Sequence, residues 1–85
     1  MNDDVYTFLT EVLADMNYDT AAVTPETELG PNGLDMESLA IAEVSIQVED
    51  KYGVKFEEDE AEQLALMNIG QLVEEIVKRA AAVAK

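Results

Sequence analysis

Apolar residues recur at three- and four-residue intervals along this chain, a spacing that places them on one face of an α-helix. The clearest apolar stripes lie in residues 3–16 and in the residues after Asn68, and residues 38–52 repeat the pattern. Residues 57–66 are predicted to form one short helix. The two clear stripes comprise Val5, Phe8, Leu9, Val12, Leu13 and Met16, and Ile69, Leu72, Val73, Ile76, Val77 and Ala80. The pattern predicts an all-α fold, a four-helix bundle with a long first loop and a short third helix.

The first loop, residues 17–37, is irregular and interrupted by proline and glycine. A loop this long needs apolar anchors within a compact domain, and Val23 and Leu29 are expected to supply them. Gly53 is expected to end the second helix as a C-cap, and Asn68 is expected to cap the start of the fourth helix. The length of the chain supports one modest core, so residues 1–85 are predicted to form a single domain.

The composition is strongly acidic, with 19 Asp and Glu against five Lys and Arg and a net charge of −14. This charge repels nucleic acid and anionic membranes, and it favours partner proteins with basic docking patches. The chain has no Cys, no apolar run near the roughly 20 residues of a membrane span, and an acidic start unlike a signal peptide. We therefore expect a cytoplasmic monomer, and the Met start and short length suggest a discrete protein.

Ser38 stands where the irregular stretch gives way to the second helix. The chain has no His and no Cys, so this hydroxyl has no evident base to make it a nucleophile, and no enzyme is predicted. At a helix N-terminus, the unpaired backbone N–H groups and the dipole favour an attached phosphate. A serine that another enzyme modifies is the preferred interpretation. An ordinary N-cap, whose hydroxyl satisfies a backbone N–H, is the alternative.

The second helix carries two apolar faces. One comprises Ile41, Val44, Ser45, Val48 and Tyr52, and the other comprises Leu39, Ala42 and Ile46 beside acidic residues. Only one face can enter the core of so small a protein, so the second is a candidate docking surface. Alternatively, Leu39 packs on the loop and Ile46 is a single exposed apolar residue. The predicted docking surface comprises Asp35, Glu37, Leu39, Ala42, Glu43, Ile46, Glu49 and Asp50.

The acidic run Glu57-Glu58-Asp59-Glu60 is the obvious place to look for a metal site. It lacks the spaced ligands of an ion-binding loop, and so does Asn32-Gly33-Leu34-Asp35. The run is interpreted as the solvated start of the third helix, and no metal is predicted. Lys78, Arg79 and Lys85 are expected to suit the negative end of the fourth helix dipole.

Several segments surround Ser38 in a fixed order: residues 23–29, Glu37-Ser38-Leu39, an acidic helix ending at Tyr52-Gly53, and residues 53–56. In this order and spacing, the chain resembles the acyl and peptidyl carrier proteins, the phosphopantetheine-attachment family. The family's Asp-Ser-Leu motif falls on Glu37-Ser38-Leu39. The resemblance runs from the first helix through Ile76 and includes four helices and a long first loop.

The resemblance implies that a phosphopantetheinyl transferase attaches 4′-phosphopantetheine from coenzyme A to Ser38. The thiol of the arm would hold acyl or polyketide intermediates as thioesters and present them to loading and biosynthetic enzymes. Glu37 stands where the family usually has Asp, and Gly33-Leu34-Asp35-Met36 departs from the shorter Leu-Gly-x-Asp pattern of fatty-acid carriers. These departures suggest a carrier of a specialised pathway. A free-standing aminoacyl or peptidyl carrier stays open, as does an unmodified acidic interaction module.

The net charge predicts that salt stabilises the folded protein, because screening weakens repulsion among the acidic side chains. We expect the thermal unfolding midpoint, followed by circular dichroism, to rise as NaCl is increased from about 10 mM to about 500 mM. Millimolar Mg²⁺ should have the same effect at lower ionic strength. A midpoint that is constant or falls would contradict the role given to self-repulsion.

Overall fold

The computed structural model describes residues 2–83, without the side chain of Glu58, and Lys85 therefore lies outside the described residues. It contains α1 (Asn2–Asp15), α2 (Ser38–Tyr52), α3 (Ala61–Ala65) and α4 (Ile69–Val83), with a 3-10 turn at Glu58–Glu60. The predicted all-α architecture, with its long first loop and short third helix, is confirmed. Within the described range, every helix is too short or too polar to cross a bilayer.

The predicted third helix over 57–66 is divided in two by the structure. Its first part is the 3-10 turn at Glu58–Glu60, and only Ala61–Ala65 is α-helical. The backbone N–H of Glu60 donates to the carbonyl of Glu57 (3.0 Å), and the Glu60 carboxylate accepts from the backbone N–H of Glu57 (2.7 Å). This reciprocal pair fixes an i→i+3 turn, which is tighter than an α-helical turn. The prediction was wrong at this point because the acidic run uses its own side chain to cap the turn.

One hydrophobic core joins all four helices. The predicted apolar stripes of α1 and α4 supply most of it, and α2 contributes Ile41, Val44 and Val48 as its sequence pattern predicts. Residues at such positions stabilise the fold by roughly 1.5–3 kcal/mol each when fully buried. The largest fully buried side chains are Leu9, Ile69, Ile76, Val5, Val48 and Val54.

The first loop is packed on this core through apolar side chains. Leu29 is buried and Val23 is half-buried against the core, so both predicted anchors are confirmed. Met36 is a further buried anchor, immediately before α2, and Leu34 packs beside the core. The loop is therefore a fixed part of the fold in spite of its length.

Backbone hydrogen bonds also join the first loop to the connection between α3 and α4. Glu28 and Asn68 form an isolated antiparallel bridge at the centre of this junction. Because buried backbone groups need partners, these bonds stabilise two irregular segments at once. The donor and acceptor pairs are Leu29 N–H to Met67 O (3.1 Å), Ile69 N–H to Thr27 O (2.9 Å) and Gly70 N–H to Pro25 O (2.8 Å).

Two predicted helix ends are confirmed in detail. Asn68 caps α4, with its side-chain oxygen accepting from the backbone N–H of Gln71 (2.8 Å) while the Gln71 side chain accepts from the N–H of Asn68 (2.9 Å). This is the reciprocal arrangement of a capping box. Gly53 ends α2 in the left-handed conformation, with φ of 72°, and its N–H donates to the carbonyl of Glu49 (2.9 Å).

Arg79 of α4 ties that helix to the segment between α2 and α3. Its guanidinium donates to the carboxylates of Glu60 and Glu75 (2.7 Å to Glu75) and to the carbonyl oxygen of Lys55 (3.2 Å). The same group lies 4.4 Å from the centre of the Phe56 ring. The hydrogen bond with Glu60 raises the pKa of Arg79 above its ordinary value. Arg79 therefore acts as a tertiary tie between elements distant in sequence, rather than only as a partner of the helix dipole.

The pKa of the Glu60 carboxyl is held below its ordinary value of 4.5, first by the hydrogen bond from Arg79 and then by the backbone N–H of Glu57. A depressed pKa means that the interaction contributes stability above the unfolded pKa and loses it as pH falls through the folded pKa. We expect Glu60→Gln to lower the free energy of unfolding at pH 7 by up to about 1 kcal/mol, and this difference to shrink towards pH 3.

Urea unfolding at both pH values measures this difference. Glu74→Gln is the matched control, because Glu74 is an exposed acid on α4 and its replacement relieves the same unit of self-repulsion. A Glu60→Gln deficit that equals that of the control, or that grows on acidification, would contradict the assignment.

Candidate functional site

Ser38 is the first residue of α2, and its side chain is exposed. The N-cap position belongs to Glu37, with φ of −80° and ψ of 166°, and the Glu37 carboxylate makes no capping hydrogen bond. The interpretation of Ser38 as an ordinary N-cap is therefore wrong. Among the described residues, no hydrogen bond to the Ser38 hydroxyl is found, so this oxygen is accessible to a modifying enzyme.

The first backbone N–H groups of α2 lie at the same helix end as this hydroxyl. The first intrahelical bond of α2 runs from the N–H of Ile41 to the carbonyl of Glu37 (3.0 Å), so the N–H groups of Ser38, Leu39 and Ala40 precede it. The first turn of α2 contains no acidic residue. A phosphate attached to Ser38 would meet free donors and the positive end of the helix dipole.

The segment that leads to Ser38 is held in one conformation by its own backbone. Asp35 is in the left-handed region, with φ of 54°, and Met36 is buried. A Cβ on Gly33 would lie 2.0 Å from the carbonyl oxygen of Glu28, so a side chain at this position requires the backbone to move. Three backbone hydrogen bonds fix this turn, each from an N–H group to a carbonyl oxygen: Leu34 to Glu28 (2.8 Å), Asp35 to Gly30 (2.8 Å) and Met36 to Leu29 (2.9 Å).

The predicted docking residues are all exposed on α2 and the residues before it. Leu39 is 82% exposed and Ile46 is 55% exposed, so the alternative in which Leu39 packs on the loop is wrong. Both residues line a groove that begins at Ser38, together with Ala42 and Glu49. The other predicted docking residues, Asp35, Glu37, Glu43 and Asp50, are exposed but do not line this groove.

The groove runs along α2 from Ser38 and has a volume of about 430 Å³. Its lining is mostly apolar, and Glu49 and Glu57 are its charged residues. Its opposite wall comes from the segment after α2 and from α3, in the form of Phe56, Ala61 and Leu64. An apolar groove therefore starts at the exposed hydroxyl of Ser38.

A second, smaller void lies inside the bundle behind this groove. Its volume is about 10 Å³, room for about one water molecule, and apolar residues from all four helices line it. Ile41, Ser45, Phe56 and Leu64 line both the groove and the void, and they form the wall between the two. The Ser45 hydroxyl donates to the carbonyl of Ile41 (3.0 Å), so the one polar side chain of the wall is satisfied within its own helix.

The residues of the opposite groove wall were not assigned to the site from the sequence. Phe56 and Leu64 follow Ser38 by many positions, and only the packing of α3 against α2 brings them near it. Ser45 could have been recognised from the sequence as a candidate site residue, because it is a polar residue within an otherwise apolar face of the second helix. The side chains described here bring together no group of three or more acidic residues suited to holding a metal ion.

No family model matches this chain. Among curated proteins, it is 34% identical to an acyl carrier protein of Helicobacter pylori over 74 residues, which cover 87% of both chains. It is 31% identical over 77 residues to a meromycolate extension acyl carrier protein of Mycolicibacterium smegmatis, covering 89% of this chain and 75% of the relative. The corresponding protein of Mycolicibacterium aurum is 34% identical over 71 residues, covering 82% of this chain and 70% of the relative.

Proposed function

Because the chain belongs to the acyl carrier protein family, we propose that Ser38 carries 4′-phosphopantetheine and that the arm holds acyl or polyketide intermediates. The observation that carries this proposal is the exposed, unbonded hydroxyl of Ser38 at the N-terminus of α2. When bound, the arm supplies a thiol that forms thioesters, a group this chain lacks because it has no Cys. The protein itself is a carrier and not a catalyst.

The residues around Ser38 fit the proposed group. In the loading step, the hydroxyl oxygen of Ser38 bonds to the β-phosphorus of coenzyme A, 3′,5′-ADP leaves, and the hydroxyl proton passes to the transferase. The resulting phosphodiester is negative, and the free N–H groups at the start of α2 lie beside it. The chain's part in this step is to hold the hydroxyl in place and accessible.

The exposed face of α2 supports the proposed docking of partner enzymes. Leu39, Ala42 and Ile46 offer an apolar strip, and the exposed carboxylates of Glu43 and Glu49 lie on the same helix. An enzyme with an apolar contact inside a basic rim would match this surface, and its association would be faster at low salt. The partners in this proposal are the transferase and the loading and biosynthetic enzymes. The monomeric state and the cytoplasmic location stay predictions of the sequence.

The attachment site is tested by intact mass after incubation with coenzyme A and a broad-specificity phosphopantetheinyl transferase. We expect the wild type to gain the mass of one phosphopantetheine group and Ser38→Ala to gain none. Ser45→Ala, which keeps Ser38, should gain the same mass as the wild type. A gain that persists in Ser38→Ala would place the modification elsewhere.

Glu37 is the subject of a second variant in the same experiment. If the wild type gains no mass, Glu37→Asp restores the carboxylate position usual in the family and should restore loading. If neither protein is loaded, even by a transferase from the same pathway, the carrier proposal falls. The unmodified acidic interaction module would then be the better account.

The docking surface is tested by the initial rate of the same loading reaction. We expect Ile46→Ser to lower kcat/KM by about tenfold, because an apolar contact worth about 1.4 kcal/mol would be lost at the interface. Val83→Ser is the matched control, since Val83 is 59% exposed but lies at the far end of α4. Its rate should stay within about twofold of wild type. Equal losses in the two variants would contradict docking through α2.

A further inference from the structure

Phe56 occupies a particular place in the wall between the groove and the inner void. Ile41 and Ser45 belong to α2, and Leu64 is buried in α3, so each is fixed by its helix. Phe56 lies in the irregular segment between Tyr52 and the 3-10 turn, and its side chain is half-buried. It is the wall residue that belongs to no helix, so its backbone and its ring can shift together without breaking a helical hydrogen bond.

The Phe56 ring is held by the guanidinium of Arg79. This group lies 4.4 Å from the ring centre, a distance at which a cation and an aromatic face attract each other. The guanidinium is itself fixed by Glu60, by Glu75 and by the carbonyl oxygen of Lys55. Arg79 is half-buried and the ring lies against the core. The ring is thus held between the bundle interior and a guanidinium that cannot easily turn.

We propose that Arg79 is a positioning residue for cargo, because it holds the Phe56 ring across the passage from the Ser38 groove into the bundle interior. The proposal rests on the proposed carrier function and adds to it a control of where the cargo lies. With the ring in place, the void of about 10 Å³ is closed to a chain, and cargo stays in the groove of about 430 Å³. With the ring displaced, the groove and the void are continuous.

The proposal predicts different effects for cargo with a short acyl chain and cargo with a long one. A two-carbon acetyl group ends near the thioester and gains nothing from an opened passage. An eight-carbon octanoyl chain can extend past the wall into the space that the displaced Phe56 ring leaves beside the void. Burying its methylene groups there among apolar residues draws the thioester towards the protein. Loss of the Arg79 contact should therefore protect an octanoyl thioester from an external nucleophile and leave an acetyl thioester unaffected.

The experiment compares cleavage of the two thioesters by hydroxylamine, which releases the free thiol of the arm and a hydroxamate. Acetyl and octanoyl arms are attached to Ser38 from the corresponding coenzyme A thioesters, and intact mass confirms loading. In Arg79→Gln, we expect octanoyl cleavage to slow by roughly two- to fivefold relative to wild type, the factor expected for one partly exposed cation–π contact. Acetyl cleavage should be unchanged.

Lys78→Gln is the matched control, because it removes the same charge from the neighbouring, exposed position of α4. Both of its cleavage rates should equal those of wild type. Arg79→Lys should lie between wild type and Arg79→Gln, since lysine keeps the charge but not the flat, forked guanidinium. Circular dichroism confirms native helix content in each variant. If Arg79→Gln does not fold, Phe56→Leu removes the ring with the Arg79 ion pairs intact, and it should show the same chain-length dependence.

A second measurement does not depend on loading. Binding of the neutral apolar dye N-phenyl-1-naphthylamine to the unmodified protein should strengthen in Arg79→Gln and not in Lys78→Gln. Failure of every variant to accept the arm would defeat the carrier function, and the dye would still decide whether Arg79 closes the passage. The inference is overturned if octanoyl cleavage is unchanged or faster, if acetyl cleavage slows equally, or if dye binding is the same in both variants.

Discussion

The backbone hydrogen bonds between the first loop and the α3–α4 connection determine where Ser38 lies. They join residues 25–29 to residues 67–70, two irregular segments that would otherwise leave buried N–H and carbonyl groups without partners. The turn over 28–36 starts from this junction and ends at α2, so the position of the hydroxyl depends on it. Because the bonds are made by the backbone, they tolerate changes of side chain at most of these positions, apart from Gly30 and Gly33, where a Cβ would lie 2.6 Å and 2.0 Å from a carbonyl oxygen.

The ion pairs of the molecule and its proposed docking surface involve different acidic residues. Both ion pairs among the described residues involve Arg79: the pair with Glu60 joins α4 to the 3-10 turn, and the pair with Glu75 lies within α4. Neither pair involves a carboxylate of α2, and Glu43, Glu49 and Asp50 are exposed to solvent. An unpaired acidic face attracts a basic partner over a longer range than one already neutralised within the chain. The acidic residues that pair within the fold are thus different from those of the proposed docking surface.

The sequence predicted those parts of the structure that depend on local spacing. Helical periodicity identified the buried face of α2, and Asn68 and Gly53 marked helix ends, because each of these patterns is decided within a few residues. The sequence also predicted the exposure of Leu39 and Ile46, since the core had room for only one face of α2.

Features that depend on residues far apart in the chain could not be predicted from local sequence patterns. Arg79 was expected to interact with the dipole of its own helix, but it pairs with Glu60, 19 positions away, and covers Phe56. The 3-10 turn before α3 follows from this pairing and from the carboxylate of Glu60 reaching the N–H of Glu57. The far wall of the groove was missed for the same reason, because no local pattern shows that Phe56 and Leu64 face Ser38.

The shortness of α3 has a consequence for how the molecule moves. A helix of five residues is far below the length of about 12–15 residues at which isolated helices become even marginally stable, so α3 exists only through its packing, chiefly that of Leu64. Such elements open locally at a fraction of the free energy of global unfolding, and their amide protons exchange early. α2 begins from an anchored turn and has three turns or more in contact with the core. We therefore expect α2, which carries Ser38, to open rarely, and α3, in the wall opposite Ser38, to open more often within the same fold.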